Sequence, residues 1–397
     1  MRRFAWPLRT SLPLRREHAA LRLLYFMYYG SFAAWSPFFA VYLRQVGLSG
    51  IQIGALTGIR PAVAIAGQPL WGVIADLWGR RRTLLLTILL ASVLLPGFTW
   101  STGFWFLLSW SVLYAFLSNP SGPLIDSLAL DYVEGGRHLS FGQFRLWGGI
   151  GWAIMAYMVG RAIDDRDIRL VFTFGAILMF LGWFLALLTS RKPGNAGVLG
   201  SSWQDIGPLL RNRRLLIFLV LVMLLQVGAS STFTFFPIYM NELGASPQLI
   251  GLAYGVQGLS ELPLYLIAAT IIRRVGLSKT LALTFLVFSV RAFLYSFISQ
   301  PVPALAVQLV HGSVALLLVT SAEYVNQQVP KAWRATGQSL FWAAHLGAGS
   351  LMGNALAGFL YDQIGTQAMF RLSGFLILGV ALAAMVALRE QPMPRKV

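Results

Sequence analysis

The sequence contains no cysteine among its 397 residues, which excludes disulfides, thiolate metal sites and cysteine nucleophiles. Charged residues are also scarce, at 11% of the chain, a fraction far below that of soluble globular domains. The patterns GxSxG, HExxH and the phosphate-binding loop are all missing. The sequence therefore predicts neither a familiar intramembrane hydrolase nor an ATP-driven pump, and we expect a protein that is not an enzyme and holds no metal or cofactor.

Apolar side chains, in contrast, are abundant. They account for 57% of the residues and give a mean hydropathy of +0.67. Apolar runs of about 20 residues, each long enough to cross a bilayer as a helix, recur along the whole chain. The alternating pattern of barrel strands is absent from the sequence, so the backbone polar groups have to be satisfied within helices. We therefore predict an all-α membrane protein with twelve transmembrane helices.

The predicted spans divide the chain into two halves. They are residues 19–43, 50–74, 83–101, 104–131, 141–163, 168–189, 214–240, 247–272, 280–298, 302–328, 335–361 and 367–388. A polar segment that carries glycine and arginine separates the sixth span from the seventh. The predicted organisation is a tail at 1–18, a six-helix bundle at 19–189, a linker at 190–213, a second six-helix bundle at 214–388 and a tail at 389–397.

The net charge of +17 indicates membrane topology and not a nucleic-acid partner. Most of the 31 Lys and Arg residues fall in the tails and the loops on one side, whereas Arg44, Arg161, Arg166 and Arg169 fall on the other. This positive-inside asymmetry places both termini in the cytoplasm, as in a multi-pass protein of the plasma (inner) membrane. The arginine-rich N-terminus precedes a run of span length without a small-residue cleavage site, so we interpret it as a tail and not a signal peptide.

The two halves of the chain repeat each other. FFAVYLRQVGLSGIQIG at 38–54 reappears as FFPIYMNELGASPQLIG at 235–251, an offset of 197 residues. The shared residues are Phe38, Phe39, Tyr42, Gly47, Ser49, Ile53 and Gly54, with their counterparts in the second stretch. Later in each half, Asp164 recurs as Asp362 at an offset of 198. Six spans in each half make the repeat parallel, so we expect a solute pathway between the halves.

The stretch GVIADLWGRRR at 72–82, between the second and third spans, carries the most specific short pattern. Its residues Gly72, Asp76, Gly79, Arg80, Arg81 and Arg82 fit G-x3-D-x2-G-R-R-R, which resembles the signature loop of the major facilitator superfamily. The resemblance implies that the aspartate caps a neighbouring helix and that the basic residues brace a cytoplasmic gate. A positive-inside loop that happens to contain glycines is the alternative. Arg273 stands where Asp76 would repeat, so we expect no such cap in the second half.

Polar side chains inside the spans need a partner or a water-filled cavity, because a charged group at a helix centre costs about 2.5 to 3.5 kcal/mol. The candidates are Arg60, Asp126, Arg145, Glu261, Arg291, His311, Glu323 and His345. Asp126 and Glu323 are 197 residues apart, and such matched positions favour a cavity on the axis that relates the halves. Both also lie near the cytoplasmic ends of their spans, so snorkelling to the interface is the alternative.

The fifth span resembles the corresponding helix of the lactose permease group of oligosaccharide:proton symporters. In that group an acid late in span four pairs with the span-five arginine to hold sugar hydroxyls, and a tryptophan seven residues later lies under the sugar ring. Asp126, Arg145 and Trp152 occupy those positions here. Seven residues are close to two helical turns, so Arg145 and Trp152 share a face. The resemblance implies that these three side chains bind the solute.

The second half matches the polar coupling residues of the same group at Glu261, Arg291 and His311. One departure is important, because the group's proton-carrying glutamate is replaced here by Val314. If transport is coupled to protons, Glu261, Asp126 or Glu323 has to titrate instead. We favour Glu261 beside His311, since burial favours the neutral form of a carboxyl group. Loss of proton coupling is the alternative.

The sequence leaves the solute open between two classes. The stretch PLID at 123–126 also resembles the phenylpropionate permease branch, which implies an aromatic acid. Three arginines and three acids balance in the candidate cavity, and a tryptophan face suits the apolar side of a pyranose, so a sugar-like solute is favoured.

The predicted protein is a monomeric secondary transporter that moves a small polar organic solute across the lipid bilayer by alternating access, with proton symport as the favoured coupling. An efflux carrier for amphipathic compounds on the same fold is one alternative. An intramembrane enzyme or receptor is the alternative from a different class.

Overall fold

The computed structural model describes residues 11–134, 141–189 and 211–388, and every regular element in these ranges is helical. The α-helices are α1 Ser11–Gln45, α2 Gly50–Trp78, α3 Arg80–Leu94, α4 Phe104–Ser118, α5 Ser121–Glu134, α6 Phe141–Ala162, α7 Leu170–Leu187, α8 Arg213–Thr234, α9 Phe236–Glu242, α10 Pro247–Val275, α11 Leu277–Phe297, α12 Pro301–Val307, α13 Ser313–Gln328, α14 Arg334–Trp342 and α15 Ser350–Ala387. The predicted C-terminal tail and most of the predicted tail at 1–18 and linker at 190–213 lie outside the described residues.

The predicted spans all fall on helical segments. The fourth span is divided between α4 and α5, and the last two spans share α15, which bends at Gly365, where φ is 73°. By length and composition, seven helical segments of the described ranges could cross a membrane. The all-α membrane fold is thus confirmed, whereas the count of twelve crossings and the division into two six-helix bundles stay predictions.

The repeated sequence builds the same turn twice. Gly47 and Gly244 both have the positive φ that glycine adopts without strain, at +89° and +81°. Two residues later, Ser49 and Ser246 are the N-caps of α2 and α10, and each Oγ accepts a hydrogen bond from the backbone N–H three residues on, at 3.4 and 3.3 Å. The G-x-S pattern shared by the halves therefore encodes a turn and a helix start.

The repeated tyrosines make the same hydrogen bond in each half. The Tyr42 hydroxyl donates to the Phe98 carbonyl oxygen at 2.7 Å, and the Tyr239 hydroxyl donates to the Tyr295 carbonyl oxygen at 2.8 Å. Donors and acceptors are both 197 residues apart. Repetition in the sequence is thus repetition of tertiary packing.

Helix packing within and between the halves follows the same symmetry. In the first half α1 packs against α6 and α7, and in the second half α15 packs against α8 and α11. Two extended contacts join the halves, one between α2 and α15 and one between α6 and α10.

The halves approach most closely at the end that carries residues 47–50 and 244–247, which we name the outer end. A Cβ added to Gly54 would lie 2.1 Å from the Asn354 carbonyl oxygen, and one added to Gly251 would lie 2.1 Å from the Ala156 carbonyl oxygen. In α10 the buried residues cluster at 250–255, with Ala268 alone buried beyond them. The two halves are therefore closed at the outer end and separate toward the opposite, inner end.

Each half also supplies a carboxylate to a helix start in the other half. Asp362 accepts hydrogen bonds from the backbone N–H groups of Gly50 at 2.6 Å and Ile51 at 2.9 Å, in the first turn of α2. Asp164 accepts one from the backbone N–H of Gln248 at 3.3 Å, in the first turn of α10. Carboxylates satisfy the free N–H groups and the positive end of the helix dipole there, so this exchange of caps stabilises the closed outer end.

We expect Asp362→Ala to shift the protein severalfold toward states that are open at the outer end, because loss of a helix cap costs about 1 kcal/mol. The shift can be measured by double electron–electron resonance between spin labels at the exposed residues Gln45 and Gln363. The chain has no native cysteine to interfere with labelling. Asp165→Ala is the matched control, since this exposed acid lies at the same end. An unchanged distance distribution in Asp362→Ala would contradict the prediction.

Candidate functional site

Arg145 is held by one carboxylate and one tyrosine hydroxyl from two other helices. Its Nη1 atom lies 3.0 Å from Asp126 Oδ2 and donates a hydrogen bond to the Tyr29 hydroxyl at 2.7 Å. The Tyr25 hydroxyl donates to Asp126 Oδ1 at 2.7 Å. The structure therefore brings together the acid and the arginine that the sequence pairs, with α1, α5 and α6 each contributing a side chain.

Two tyrosines of α1 shape this pair, and the sequence analysis did not assign them. Tyr25 and Tyr29 are four residues apart on one helix face, with ring centroids 6.1 Å apart. The Arg145 guanidinium lies 5.3 Å from the centroid of the Tyr29 ring, within the range of a cation–π contact. Their i, i+4 spacing inside an apolar span was the available signal.

The Arg145–Asp126 pair is open on one side. The two side chains are 52% and 30% exposed, and among the described residues only the Nη1 atom of the guanidinium donates a hydrogen bond. A guanidinium has five N–H donors in a planar fork. Donors on Nε and Nη2 are thus available beside a carboxylate acceptor, an arrangement that suits hydroxyl and carbonyl groups of a bound solute.

Trp152 lies at the contact between the halves. Its Nε1 atom donates a hydrogen bond to the Tyr254 carbonyl oxygen of α10 at 3.2 Å, and its ring covers Gly258, where an added Cβ would lie 3.0 Å away. The ring is therefore fixed by the second half, two turns along α6 from Arg145. Stacking of this ring on a solute stays a prediction.

A second polar cluster lies in the second half. His311 Nε2 and Glu261 Oε1 are 3.3 Å apart, and the two side chains are 3% and 24% exposed. The Phe233 ring packs edge-on against the imidazole, with centroids 5.3 Å apart. A carboxyl group and an imidazole at this distance can share or pass a proton, so the predicted neighbours Glu261 and His311 do lie together.

Arg291 is part of this cluster but pairs with an amide. Its Nη2 atom donates to Gln308 Oε1 at 2.9 Å, and its guanidinium lies 5.4 Å from the centroid of the Phe233 ring. The side chain is buried, and within the described ranges no carboxylate contacts it. Gln308, which the sequence analysis left without a role, is thus the partner of this arginine.

Glu323 lies apart from the cluster of Glu261, His311 and Arg291. Its carboxylate is exposed and accepts a hydrogen bond from Gln327 Nε2 of the same helix at 2.9 Å. Twelve residues separate it from His311, about 18 Å of helical rise. The matched sequence positions of Asp126 and Glu323 therefore differ in environment, and the snorkelling alternative describes Glu323 better.

The signature loop is bound to its own half. Gly79 has a φ of +92° between α2 and α3, and Arg80 Nη1 lies 3.3 Å from Asp131 Oδ1 of α5. Arg81 Nη2 donates to the Leu187 carbonyl oxygen at 2.7 Å.

The helix cap that the resemblance implies for Asp76 is not formed in this conformation. Asp76, Gly72 and Arg82 are exposed, and no hydrogen bond links the Asp76 carboxylate to any described residue. The halves separate toward the inner end, which leaves Asp76 without a helix start to cap. In the second half Arg273 donates to Thr270 Oγ1 at 3.1 Å, within its own helix.

The two clusters face each other across the halves. The antiparallel helices α6 and α10 contact each other where Gly251 meets Ala156, Gly255 meets Ala153 and Gly258 meets Trp152. The turns that follow toward the inner end carry Arg145 on α6 and Glu261 on α10. These helices form one of the two contacts between the halves. A polar site that both halves share is therefore open at the inner end and closed at the outer end.

Comparison with known proteins agrees with this geometry. The sequence model of the MFS_1 like family matches residues 18–372. The chain is similar to the maltose permease of Geobacillus stearothermophilus, at 30% identity over 93% of this chain and 94% of that protein. It is also similar to the Probable 3-phenylpropionic acid transporter of Escherichia coli (strain K12), at 25% identity over 87% and 91% of the two chains.

A solved structure supports the fold. The crystal structure of nucleoside transporter NupG superposes with a TM-score of 0.84 at 18% identity, covering 94% of this chain and 99% of that one. At this identity the likeness shows the fold alone, and it confirms the fold class predicted from the sequence.

We expect Asp126 and Arg145 to be energetically coupled by about 1 kcal/mol, because the pair is partly exposed and hydrogen-bonded. A double-mutant cycle with Asp126→Asn and Arg145→Gln, measured by thermal unfolding in detergent, gives this value directly. The matched control is Glu323→Gln combined with Arg145→Gln, for which the two effects should add. Additive effects for Asp126 and Arg145 would refute the pairing.

Proposed function

Because the chain belongs to the MFS_1 like family of membrane transporters, we propose that it moves a small polar organic solute, favoured to be sugar-like, by alternating access. The observation that carries this proposal is the half-open Arg145–Asp126 pair, which lies on α6 where that helix contacts α10 of the other half. Solute binding would use the free guanidinium donors and the carboxylate acceptor together, which matches the mixed donors and acceptors of vicinal hydroxyls.

Alternating access would use the two ends of the molecule in turn. The outer end is closed by the glycine contacts and by the exchanged caps of Asp164 and Asp362. The inner end is open to the site. In the opposite state the caps would separate, the inner end would close, and the Asp76 cap implied by the signature loop would form. Alternating access in such carriers commonly occurs by rocking of two rigid halves about a fixed central site.

Proton symport is the coupling that we propose. Glu261 has a histidine at 3.3 Å and lies on α10, which contacts the helix that carries Arg145, so protonation of Glu261 would change the field at the solute pair. Val314 excludes the residue that carries the proton in the lactose permease group. Glu261 is preferred over Asp126, which is already paired, and over Glu323, which lies outside the cluster.

We further propose a monomer in the plasma (inner) membrane with both termini in the cytoplasm, acting as a carrier and not as an enzyme. The placement of Lys and Arg in the loops of one side supports this orientation.

A second candidate solute is an aromatic acid. The similarity to the Probable 3-phenylpropionic acid transporter and the PLID stretch at 123–126 favour it. Sugar-like solutes are preferred because the relative at 30% identity is a maltose permease and because the pair of Arg145 and Asp126 offers both donors and acceptors.

Exchange in proteoliposomes tests the transport proposal. With maltose, melibiose, uridine, 3-phenylpropionate and D-glucuronate as labelled probes, we expect one of them to exchange across the membrane. Arg145→Lys should lower that exchange about tenfold or more, because lysine keeps the charge and loses the planar fork. Arg166→Lys, at the outer end, is the matched control and should exchange at the wild-type rate. Equal exchange by Arg145→Lys would contradict the site.

The coupling proposal is tested separately with Glu261→Gln. We expect this variant to lose accumulation driven by a pH gradient while it retains solute exchange at equilibrium, because glutamine can bind in place of the neutral carboxyl but cannot release a proton. Glu323→Gln is the control and should accumulate solute normally. Accumulation at the wild-type level by Glu261→Gln would overturn the role of Glu261.

A further inference from the structure

Besides Arg145 and Arg291, a third arginine lies within a predicted span. It is Arg60, in the middle of α2 in the first half. The Arg60 guanidinium is 4.5 Å from the centroid of the Trp35 ring, 5.9 Å from that of Tyr114 and 6.0 Å from that of Phe39. Trp35 and Tyr114 are completely buried, with 0% of their surfaces exposed. The guanidinium therefore lies in an aromatic box formed by α1, α2 and α4.

Within the described ranges this guanidinium has no hydrogen bond and no ion pair, and its buried Nε atom has no acceptor. Arg145 has Asp126, Arg80 has Asp131 and Arg291 has Gln308. The three arginines and three acids of the spans are thus not paired one to one, because one acid lies beside a histidine and another lies remote from the site. Cation–π contacts offset part of the desolvation of Arg60 but supply no acceptor.

Other polar atoms of the box also lack partners. The buried Trp35 Nε1 atom and Tyr114 hydroxyl make no hydrogen bond of ordinary geometry in the described structure. The same is true of Ser111 Oγ and Ser118 Oγ, which lie three and four residues from Tyr114 and therefore on the same face of α4. The indole N–H can only donate, and the hydroxyls can donate by rotation. One permanent positive charge with donors around it is complementary to an anion with several acceptor oxygens. Unsatisfied buried donors are rare in folded proteins and need an explanation.

The box and the Arg145 site share the same helix, α1, and are connected by packed aromatic rings. The rings form a series from Tyr29 to Tyr28 at 5.2 Å, from Tyr28 to Phe32 at 5.3 Å and from Phe32 to Trp35 at 6.0 Å. Tyr29 contacts Arg145, and Trp35 contacts Arg60. Six residues of helix separate Tyr29 from Trp35, about 9 Å of rise, a separation that a small organic solute can bridge.

We propose that Arg60, with the donors of Trp35, Ser111 and Tyr114, is a carboxylate-binding subsite and that the transported solute is a hydroxylated organic acid such as a sugar acid. The carboxylate would pair with Arg60, and the hydroxyl groups would bind at Arg145 and Asp126. This inference rests on the proposed transport function and narrows its solute class.

Matched pairs of acid and neutral probes test the subsite on the purified full-length protein. D-glucuronate is compared with methyl glucoside and 3-phenylpropionate with 3-phenylpropanol, by calorimetry at constant ionic strength. We expect the wild type to bind the acid of at least one pair about tenfold more tightly than the neutral partner, and Arg60→Gln to bring that ratio close to one. Preference for glucuronate would support a sugar acid as the solute. Preference confined to the phenyl pair would uphold the carboxylate subsite and overturn the hydroxylated solute.

Two controls separate a binding role from a structural one. Arg371→Gln removes an exposed arginine that lies 5.1 Å from the Phe297 ring and should keep the wild-type ratio. Ser111→Ala removes one donor without removing the charge and should lower the acid preference while the protein stays folded, which keeps the test valid if Arg60→Gln unfolds.

The outcomes of this test and of the exchange assay are distinct. A wild-type protein that binds neither acid more tightly than its neutral partner overturns the subsite, as does an Arg60→Gln or Ser111→Ala protein that keeps the full preference. Exchange of a neutral solute with no acid preference would uphold transport and reject the subsite. Acid preference without any exchange in proteoliposomes would uphold the subsite and reject transport.

Discussion

The structure depends on an arginine that cannot give up its charge inside an apolar bundle. Arg145 is tolerated because Asp126 balances it, Tyr25 and Tyr29 orient the pair, and the side chains stay partly exposed on a helix that contacts α10 of the other half. A guanidinium that is kept in the bundle despite its desolvation cost is useful when its remaining N–H donors reach a ligand. The position of this pair between two repeated halves is what makes the molecule a carrier in our account.

The repeat explains how two halves can exchange contacts. Gly54 and Gly251 let helices approach at the outer end, and Asp362 and Asp164 each cap a helix of the opposite half. Each device occurs twice because the sequence occurs twice. Contacts that are concentrated toward one end of the molecule can be broken together, whereas an interface along the whole length of the halves would hold them in one state.

Much of the fold follows from the sequence, because hydrophobic run length and the 197-residue offset are local and repeated signals. The offset correctly relates Tyr42 to Tyr239 and Ser49 to Ser246.

The site was predictable only where a residue type forces a partner, as with Arg145 and Asp126. The 197-residue offset does not encode how deeply a side chain lies or where it points. For this reason Glu323 lies apart from Glu261 and His311, Arg291 pairs with Gln308, and Arg60 lacks an acidic partner. An experimental structure of the protein with the solute identified by exchange would decide whether Arg145 and Asp126 hold the solute. Solute density is expected between the halves, within hydrogen-bonding distance of both side chains. Density bounded only by apolar side chains, with that pair closed on itself, would contradict this expectation.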